Sequence, residues 1–439
     1  MQPSTPSTKS AGRTISLVVG IIMLIVGAGV GAGITYAGLR LNPTGSGAVC
    51  SSNQTLTIGE LLDLSSDLAS QGTRAKDSSI LAIEDINAFL SAAGCNLRFA
   101  NSVTDYALDD SKALTAITSF AASGIQVVVG PLNSGSAAAI LQYANSNHIV
   151  LISPSSTSVA LSIADDYLFR TAPNDRWQGQ ADARMMRDRQ ANAVIIVQRH
   201  DAYGDALANA TGAYFKVDGG TVIDTIPYAK TLTTFSTVLD QVQSDYNTYH
   251  TANPTAKIAL DFISFEEFGA MILQAKNNYP SFPWSTPWFG VDGEAQDAVI
   301  TNSTYGGPVA QVILPSTLYG FLNNTKTQAL FTKFASRFPG NICDAYCLGT
   351  YDDLWIAALA TLQAGSYSGT AIKSVMLTVA NNFYGVTGPN QLEASGDRVA
   401  TIYQIWKVVT SGTSQTWVYA GVWDAASDAV NWSNAPPSL

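Results

Sequence analysis

Residues 125–157 read IQVVVGPLNSGSAAAILQYANSNHIVLISPSST and decide the predicted fold class. The run predicts a buried strand at 125–129, a tight turn, and a helix whose first turn carries Ser134. A second buried strand at 149–152 ends in the hydroxyl-rich segment 153–157. In an open α/β sheet, ligands bind at the carboxyl ends of the strands, where helix N-termini offer unpaired N–H groups to an anion. The segment therefore predicts a pocket for a small anionic or zwitterionic solute.

The same alternation of strand and helix extends over much of the chain. It predicts strands at residues 57–61, 97–100, 193–197, 221–226 and 257–263, and helices at 73–93, 111–123, 178–189, 204–217, 235–246 and 267–275. Repeated β/α alternation favours parallel sheets. Near the C-terminus, residues 398–409 and 415–423 alternate in polarity and flank a turn with a glycine, which predicts an antiparallel hairpin.

Length and charge limit the class of protein further. The chain has 439 residues, more than one compact core usually holds, so we expect two or more lobes. Its net charge is −10, with only 23 lysines and arginines and no basic run. Nucleic-acid binding, which needs clustered positive charge, is therefore not expected.

Residues 14–39 contain no charged side chain over 26 positions, and roughly 20 apolar residues suffice for a helix to span a bilayer. Lys9 and Arg13 precede this segment, which predicts a cytoplasmic tail at 1–13 and the rest of the chain outside. The alternative is a signal peptide cleaved after Ala37, but the apolar run exceeds the usual 7–15 residues or so. We favour an uncleaved transmembrane anchor, a linker at 40–53 and a binding domain held at the cell surface.

Two other features agree with an extracellular location. Asn-x-Ser/Thr sequences, the acceptors for N-glycosylation, occur at Asn53, Asn209, Asn302, Asn323 and Asn431. Four cysteines could form two disulfides: Cys50 and Cys95 precede the first two strands and could pair, while Cys343 and Cys347 would close a small loop. A zinc site is the alternative for the latter pair, although no further Cys or His has suitable spacing.

Catalytic chemistry has little support in the sequence. The three histidines, His148, His200 and His250, lie in no metal-binding spacing or nucleophile motif, and no phosphate-binding loop is present. No catalytic residue, metal or cofactor is predicted. An enzyme on an α/β scaffold is thus disfavoured.

Polar residues at strand ends support binding instead. Ser134, Ser155 and Thr157 could each be an ordinary helix cap or turn residue, but together they favour contacts to a ligand carboxylate. Tyr203, after the strand at 193–197, could line a cleft or pack at the surface. Asp292, between two glycines, could bind an ammonium group or cap a helix. An amino acid zwitterion is the natural ligand for both kinds of group.

Several short segments occur in the order that one protein family shows. They are AIEDIN (82–87), VGPLNS (129–134), ISP (152–154), LFRTAP (168–173), AYG (202–204), TFS (234–236), FG (289–290), TYD (350–352), VTGP (386–389) and GDR (396–398). From about residue 56 to 423 the chain resembles type I periplasmic solute-binding proteins of ABC transporters, specifically the branched-chain amino acid (leucine/isoleucine/valine) binding group.

The resemblance implies a Venus flytrap, in which two α/β lobes joined by three crossovers close on a ligand. The implied lobes are 54–172 with 314–390, and 173–313 with 391–435. The closed form would deliver its solute to the permease subunits of the transporter. An extracellular sensor of the same fold is an alternative, as is a ligand of the amide or urea type.

The resemblance also implies roles for individual residues. Ser134, Ser155 and Thr157 would hold the α-carboxylate, and Tyr203 would touch the ligand from the other lobe on closure. Asp292 falls where the family usually has a glutamate that binds the ammonium group. The loop at 62–72 would line the side-chain pocket, although it lacks the usual Gly-Pro pattern.

Overall fold

The computed structural model of the chain describes residues 50–433. The predicted tail at 1–13, the apolar segment at 14–39 and most of the linker at 40–53 lie outside these residues. Between residues 50 and 433, no helix combines the length and apolar character needed to cross a membrane.

The described chain alternates strands and helices in two α/β lobes. The strands are β1 (Thr55–Leu62), β2 (Arg98–Asp105), β3 (Val127–Val129), β4 (Val150–Ser153), β5 (Leu168–Pro173), β6 (Ala193–His200), β7 (Thr221–Ala229), β8 (Ile258–Ile263), β9 (Trp288–Phe289), β10 (Ser316–Tyr319), β11 (Tyr384–Gly385), β12 (Gly388–Pro389), β13 (Asp397–Arg398), β14 (Ile402–Ser411), β15 (Ser414–Asp424) and β16 (Ala429–Trp432). The helices are Ala69–Ala92, Asp110–Ala122, Ser134–Asn147, Asp175–Asp188, Ala202–Val217, Ser236–Ala252, Phe268–Asn278, Gly306–Val312, Thr325–Arg337, Ala345–Ala364 and Gly369–Asn381.

Lobe one is built on a parallel sheet in the order β13-β5-β4-β3-β1-β2. Its central strand β3 is buried on both faces: Val128 packs with helices Asp110–Ala122 and Ser134–Asn147, while Val127 and Val129 pack on the opposite side. Helices on both faces explain why such strands are continuously apolar in sequence. This confirms the strand–helix–strand prediction for residues 125–157.

Lobe two contains the parallel sheet β7-β6-β8-β9. A bridge between Gly290 and Ser316 connects it to the antiparallel sheet β10-β14-β15-β16. The predicted C-terminal hairpin is confirmed as β14 and β15, which pair antiparallel.

The chain passes between the lobes after β5, after β10 and after β13. Two of the expected lobe limits differ from this arrangement. The limit at 314 assigned β10 to lobe one, yet β10 pairs with β14 in lobe two. The limit at 391 assigned β13 to lobe two, yet Asp397 pairs with Arg170 of β5 in lobe one. Both strands are short, and long-range pairing rather than local pattern sets their place.

We had expected the segment at 62–72 to be a loop, but a helix begins within it at Ala69. The Asp63 carboxylate accepts hydrogen bonds from the backbone N–H groups of Ser66 (3.2 Å) and Leu68 (2.8 Å), which closes a turn before the helix. Gly72 then lies against this turn. A Cβ atom there would be 1.6 Å from the Asp63 carbonyl oxygen, so only glycine lets the helix start so close to β1.

Both disulfides form in the predicted pairing. Cys50 joins Cys95 with their Cα atoms 4.6 Å apart, and Cys343 joins Cys347 with theirs 5.2 Å apart. No free cysteine is left among residues 50–433, which removes the zinc alternative for Cys343 and Cys347.

The glycosylation sites stay predictions. The side chains of Asn53, Asn209, Asn323 and Asn431 are exposed. Asn302 is half-buried, and its Oδ1 accepts hydrogen bonds from the backbone N–H groups of Thr304 and Tyr305.

Glu60 on β1 should make the stability of the protein depend on pH. It is fully buried, and this burial raises its pKa from 4.5 to about 7 although Asn101 and Ser79 oppose the shift by hydrogen bonding. The folded state then keeps a proton that the unfolded state releases, so the free energy of unfolding should fall as pH rises from about 4.5 to 7. Glu60→Gln keeps an oxygen that can accept from Asn101 Nδ2 but removes the titration.

We compare the free energy of unfolding of Glu60→Gln with that of the unsubstituted protein. The difference should shift in favour of Glu60→Gln by about 1 kcal/mol or more between pH 5 and 8. Urea unfolding, monitored by circular dichroism at both pH values, measures this difference. The exposed Glu84→Gln is the control. A difference between Glu60→Gln and the unsubstituted protein that is equal at both pH values would contradict the expected burial effect.

Candidate functional site

A cavity lies between the lobes. The residues that line it from lobe one are Leu68, Gln71, Leu132, Asn133, Ser134, Ser155 and Tyr346. Those from lobe two are Tyr203, Phe265, Asp292 and Gly293. Four of the five predicted ligand-binding residues are thus on one wall or the other.

On the lobe one side, helix Ser134–Asn147 begins at the cavity. The side chain of Asn133, the residue before it, makes no capping bond to the helix and instead accepts from the Tyr106 hydroxyl at 2.8 Å. Ser134 Oγ accepts from the backbone N–H groups of Thr157 and Ser158, both at 3.1 Å. The Ser134 hydroxyl hydrogen is therefore free to be donated, next to the positive end of the helix. This arrangement suits a carboxylate.

Ser155 and Thr157 differ from Ser134 in what they can offer. Ser155 Oγ donates to the Leu132 carbonyl oxygen at 2.5 Å, so it must rotate before it can donate to a ligand carboxylate. Thr157 is buried and does not line the cavity. Its backbone positions Ser134, and its hydroxyl lies close enough to the Asp175 carboxyl to oppose the rise in pKa that burial gives that acid.

On the lobe two side, Asp292 follows β9 and is 3 % exposed. Its Oδ1 accepts from the Tyr203 hydroxyl at 2.5 Å and from Gln178 Nε2 at 2.9 Å, and its Oδ2 accepts from the Tyr346 hydroxyl at 2.6 Å. A carboxylate has about four lone-pair sites, so Oδ2 can accept one more donor. Burial raises the pKa of Asp292, and the three hydrogen bonds oppose that rise.

The lobes touch across the cavity, so this is a closed conformation. Tyr346 belongs to lobe one, and its bond to Asp292 joins the two lobes. Gln71 Nε2 of lobe one donates to the Gly293 carbonyl oxygen at 3.3 Å. Arg74 Nη2 donates to the carbonyl oxygen of Gln296 at 2.8 Å. All three bonds must break when the cleft opens.

A layered group of side chains holds the aromatic wall in place. The Tyr203 ring stacks on Phe265 with centroids 5.2 Å apart, and the Arg199 guanidinium lies 3.8 Å from the Phe265 centroid. Arg199 in turn pairs with Asp201 (2.7 Å) and Glu267 (2.6 Å). The wall is thereby fixed before any ligand arrives.

Between the carboxylate end and Asp292 the surface is largely apolar. Leu68, Leu132 and Phe265 supply it, with Gln71 as a polar neighbour. Gly293 allows the wall to pass close to the strand end, because a Cβ atom there would be 2.0 Å from the Ser264 carbonyl oxygen. Leu68 and Gln71 come from the segment at 62–72 that was expected to line the side-chain pocket.

Two important residues were missed from the sequence. Phe265 follows β8, and Tyr203 follows β6 at the same edge of the sheet. The strand-end argument that selected Tyr203 could therefore have found Phe265 as well. Tyr346 is at the start of helix Ala345–Ala364, far from any strand end, and no local signal marks it. Among residues 50–433, no group of three or more His, Cys, Asp or Glu side chains is arranged to hold a metal ion.

Comparison with known proteins adds independent information. The sequence profile of the family described as "Periplasmic binding protein" matches residues 55–413. An uncharacterised protein of Methanocaldococcus jannaschii is 29% identical over 400 residues, which covers 87% of this chain and 93% of the relative.

Solved structures show the same two-lobed α/β fold. The leucine binding protein LivK of Thermotoga maritima superimposes with a TM-score of 0.71 at 17% identity, covering 85% of this chain and 99% of that one. The branched-chain amino acid binding protein LivJ of Streptococcus pneumoniae, in complex with isoleucine, gives a TM-score of 0.65 at 21% identity and covers 83% and 100%.

Proposed function

Because the chain belongs to the periplasmic binding protein family, we propose that it captures an amino acid with an apolar side chain for an ABC import system. The family match confirms the resemblance to periplasmic solute-binding proteins, and the related structures share the fold. The family consists of binding proteins, so the expectation that the chain is not an enzyme is also confirmed.

The observation that carries the proposal is the distribution of charge in the cavity. The start of helix Ser134–Asn147, with a free Ser134 hydroxyl hydrogen, faces lobe two, whose wall carries the Asp292 carboxylate. Leu68, Leu132 and Phe265 supply apolar surface to the same small space. An α-carboxylate, an α-ammonium and an apolar side chain would each find a complementary surface.

The names of two related structures agree with this chemistry. LivK is called a leucine binding protein, and LivJ holds isoleucine. We infer that this chain binds a ligand of the same kind, leucine or isoleucine being the first to test.

Capture would proceed by closure of the lobes. A ligand that contacts Ser134 on one lobe and Asp292 on the other gains both contacts only in the closed form, so it shifts the equilibrium towards closure. Permease subunits would then recognise the closed form. We further propose that residues 14–39 anchor the protein with its lobes outside the cell.

Isothermal titration calorimetry of the purified full-length chain tests the proposal. We expect leucine or isoleucine to bind with a dissociation constant of about 1 μM or lower, corresponding to roughly −8 kcal/mol. Glucose, urea and acetamide are the comparison solutes. Binding of urea or acetamide but of no amino acid would contradict the zwitterion assignment and favour an amide-type ligand.

A further inference from the structure

A second recess lies in lobe two at the end of the sheet away from the interlobe cavity. Trp288 at the start of β9 lines it, whereas Asp292, beyond the end of β9, lines the cavity. Pro315, which precedes β10, and Arg189, which follows helix Asp175–Asp188, also line the recess. The proposed amino acid function uses none of these residues.

Arg189 is the one cationic side chain that lines this recess, and it is 7 % exposed. Its Nη1 is buried without a hydrogen-bond partner among residues 50–433. The neighbouring Asp188 carboxylate accepts instead from Trp432 Nε1, at 2.5 Å. Burial lowers the pKa of Arg189, with the charge of Asp188 opposing, yet an arginine stays protonated at neutral pH.

Three other buried arginines are paired with acids: Arg74, Arg170 and Arg199 each bind a carboxylate with a nitrogen–oxygen distance of 2.6–2.7 Å. A fourth, Arg398, donates to the carbonyl or hydroxyl oxygens of Thr171, Thr387 and Pro389. Buried charges are normally compensated in this way, because an unpaired ion loses its hydration. Arg189 has the Trp432 ring, 5.7 Å away, as its aromatic neighbour, which satisfies none of its N–H donors. A shift of the guanidinium towards the recess would let an anion there supply the missing partner.

The rest of the recess has apolar walls and a few polar groups. Trp284 and Trp288 stack with centroids 5.2 Å apart and planes 13° from parallel, which makes a rigid aromatic surface. Ser285 and Thr286 add hydroxyl groups to the lining. Gln311 accepts from Lys276 Nζ at 2.7 Å through Oε1, which leaves its amide N–H groups as donors.

The backbone beside the recess is strained. Ile313 has φ of 67°, and Leu314 has φ of 45°. Positive φ is unfavourable for a β-branched residue such as Ile313, and strain of this kind clusters at ligand sites. The strained pair leads directly into β10, next to the recess wall.

We propose that this recess is a second binding site, for a small organic carboxylate whose apolar body packs beside Trp284 and Trp288 while its carboxylate pairs with Arg189. The site is separate from the interlobe cavity and does not depend on the amino acid function. A planar guanidinium matches a carboxylate through two parallel hydrogen bonds, which favours this class of anion.

Calorimetric titration of the full-length chain with phenylacetate, and with its neutral counterpart phenylacetamide, tests the site. We expect phenylacetate to bind saturably, and Arg189→Met to weaken it about tenfold or more. The matched control is Arg176→Met, which replaces an exposed arginine of the helix that precedes Arg189 and should leave binding unchanged. Trp284→Ala should also weaken phenylacetate binding, since it removes part of the apolar wall.

The two cavities are distinguished by crossed variants. Asp292→Asn should leave phenylacetate binding intact, and Arg189→Met should leave leucine binding intact. Three results would overturn the proposal: phenylacetate binding that is unchanged in Arg189→Met, phenylacetamide binding as tightly as phenylacetate, or no saturable phenylacetate binding at all. Saturable binding of inorganic phosphate in place of phenylacetate would overturn the apolar half of the assignment.

Discussion

Asp292→Asn should weaken leucine binding by roughly 10- to 100-fold, the size expected for losing a charged partner worth about 1.5–3 kcal/mol. Asparagine preserves the shape of the side chain and can still accept from Tyr203 and Gln178. What it loses is the negative charge that would face the ligand ammonium. Calorimetry with leucine measures the effect.

A comparison of ligands isolates the charge. 4-Methylpentanoate is leucine without its ammonium group, so the preference for leucine over it should disappear in Asp292→Asn. Asp240→Asn, an exposed carboxylate of lobe two that accepts from the Tyr279 hydroxyl, is the control. A preference that survives Asp292→Asn would show that the ammonium group binds elsewhere.

The pH dependence has a definite sign. Burial raises the pKa of Asp292, so the free protein takes up a proton on that carboxylate at a higher pH than an exposed aspartate would. Protonation removes the charge. Leucine affinity should therefore fall as pH is lowered through this raised pKa, and Asp292→Asn should lack that part of the decline.

The second large effect is expected at Arg170. Its replacement by methionine should lower the free energy of unfolding by about 3–5 kcal/mol. Arg170 is fully buried and pairs with Asp397 at 2.6 Å. Its Nη1 also donates to the carbonyl oxygens of Ser156 (3.0 Å) and Ser158 (2.7 Å), in the segment that carries Ser155. Arg170→Met leaves the Asp397 carboxylate buried without its cation. Urea unfolding measures the loss.

Two further variants make this result interpretable. The double variant Arg170→Met/Asp397→Met removes both charges and should recover part of the stability. Arg176→Met breaks a pair with Glu393 that is long (3.6 Å) and exposed, and should change stability by less than about 1 kcal/mol. Unfolding of Arg170→Met at the same urea concentration as the unsubstituted protein would contradict the buried-pair argument.

The sequence was most informative where local chemistry and long-range position agree. β3 and β4 are continuous apolar runs because helices cover both of their faces, and Ser134 begins a helix as its place after a strand predicts. Parallel strand ends meet at one edge of a sheet, so Ser134 and Ser155 could be placed together without coordinates. Tyr203 and Asp292 follow strands of the other sheet, and the family resemblance predicted that they would face the first pair across a cleft.

Other features depend on contacts that a local pattern does not carry. The Tyr346 hydroxyl donates to Asp292, which is 54 residues away in sequence and belongs to the other lobe. Thr157 follows the right strand, but it is buried outside the cavity lining, with its hydroxyl near Asp175. β10 and β13 are too short to show a periodic pattern in the sequence. The strands with which they pair decide to which lobe each belongs.

The bond from the Tyr346 hydroxyl to Asp292 has a consequence for how strongly a solute can be held. The hydroxyl and a solute ammonium group can both donate to Oδ2, because that oxygen accepts two donors. Tyr346 makes its bond only when the lobes are together, since it belongs to lobe one and Asp292 to lobe two. The protein itself therefore supplies part of the free energy of closure, and the solute supplies the remainder. Tyr346 would act as a latch whose strength sets how often the lobes close without a solute between them.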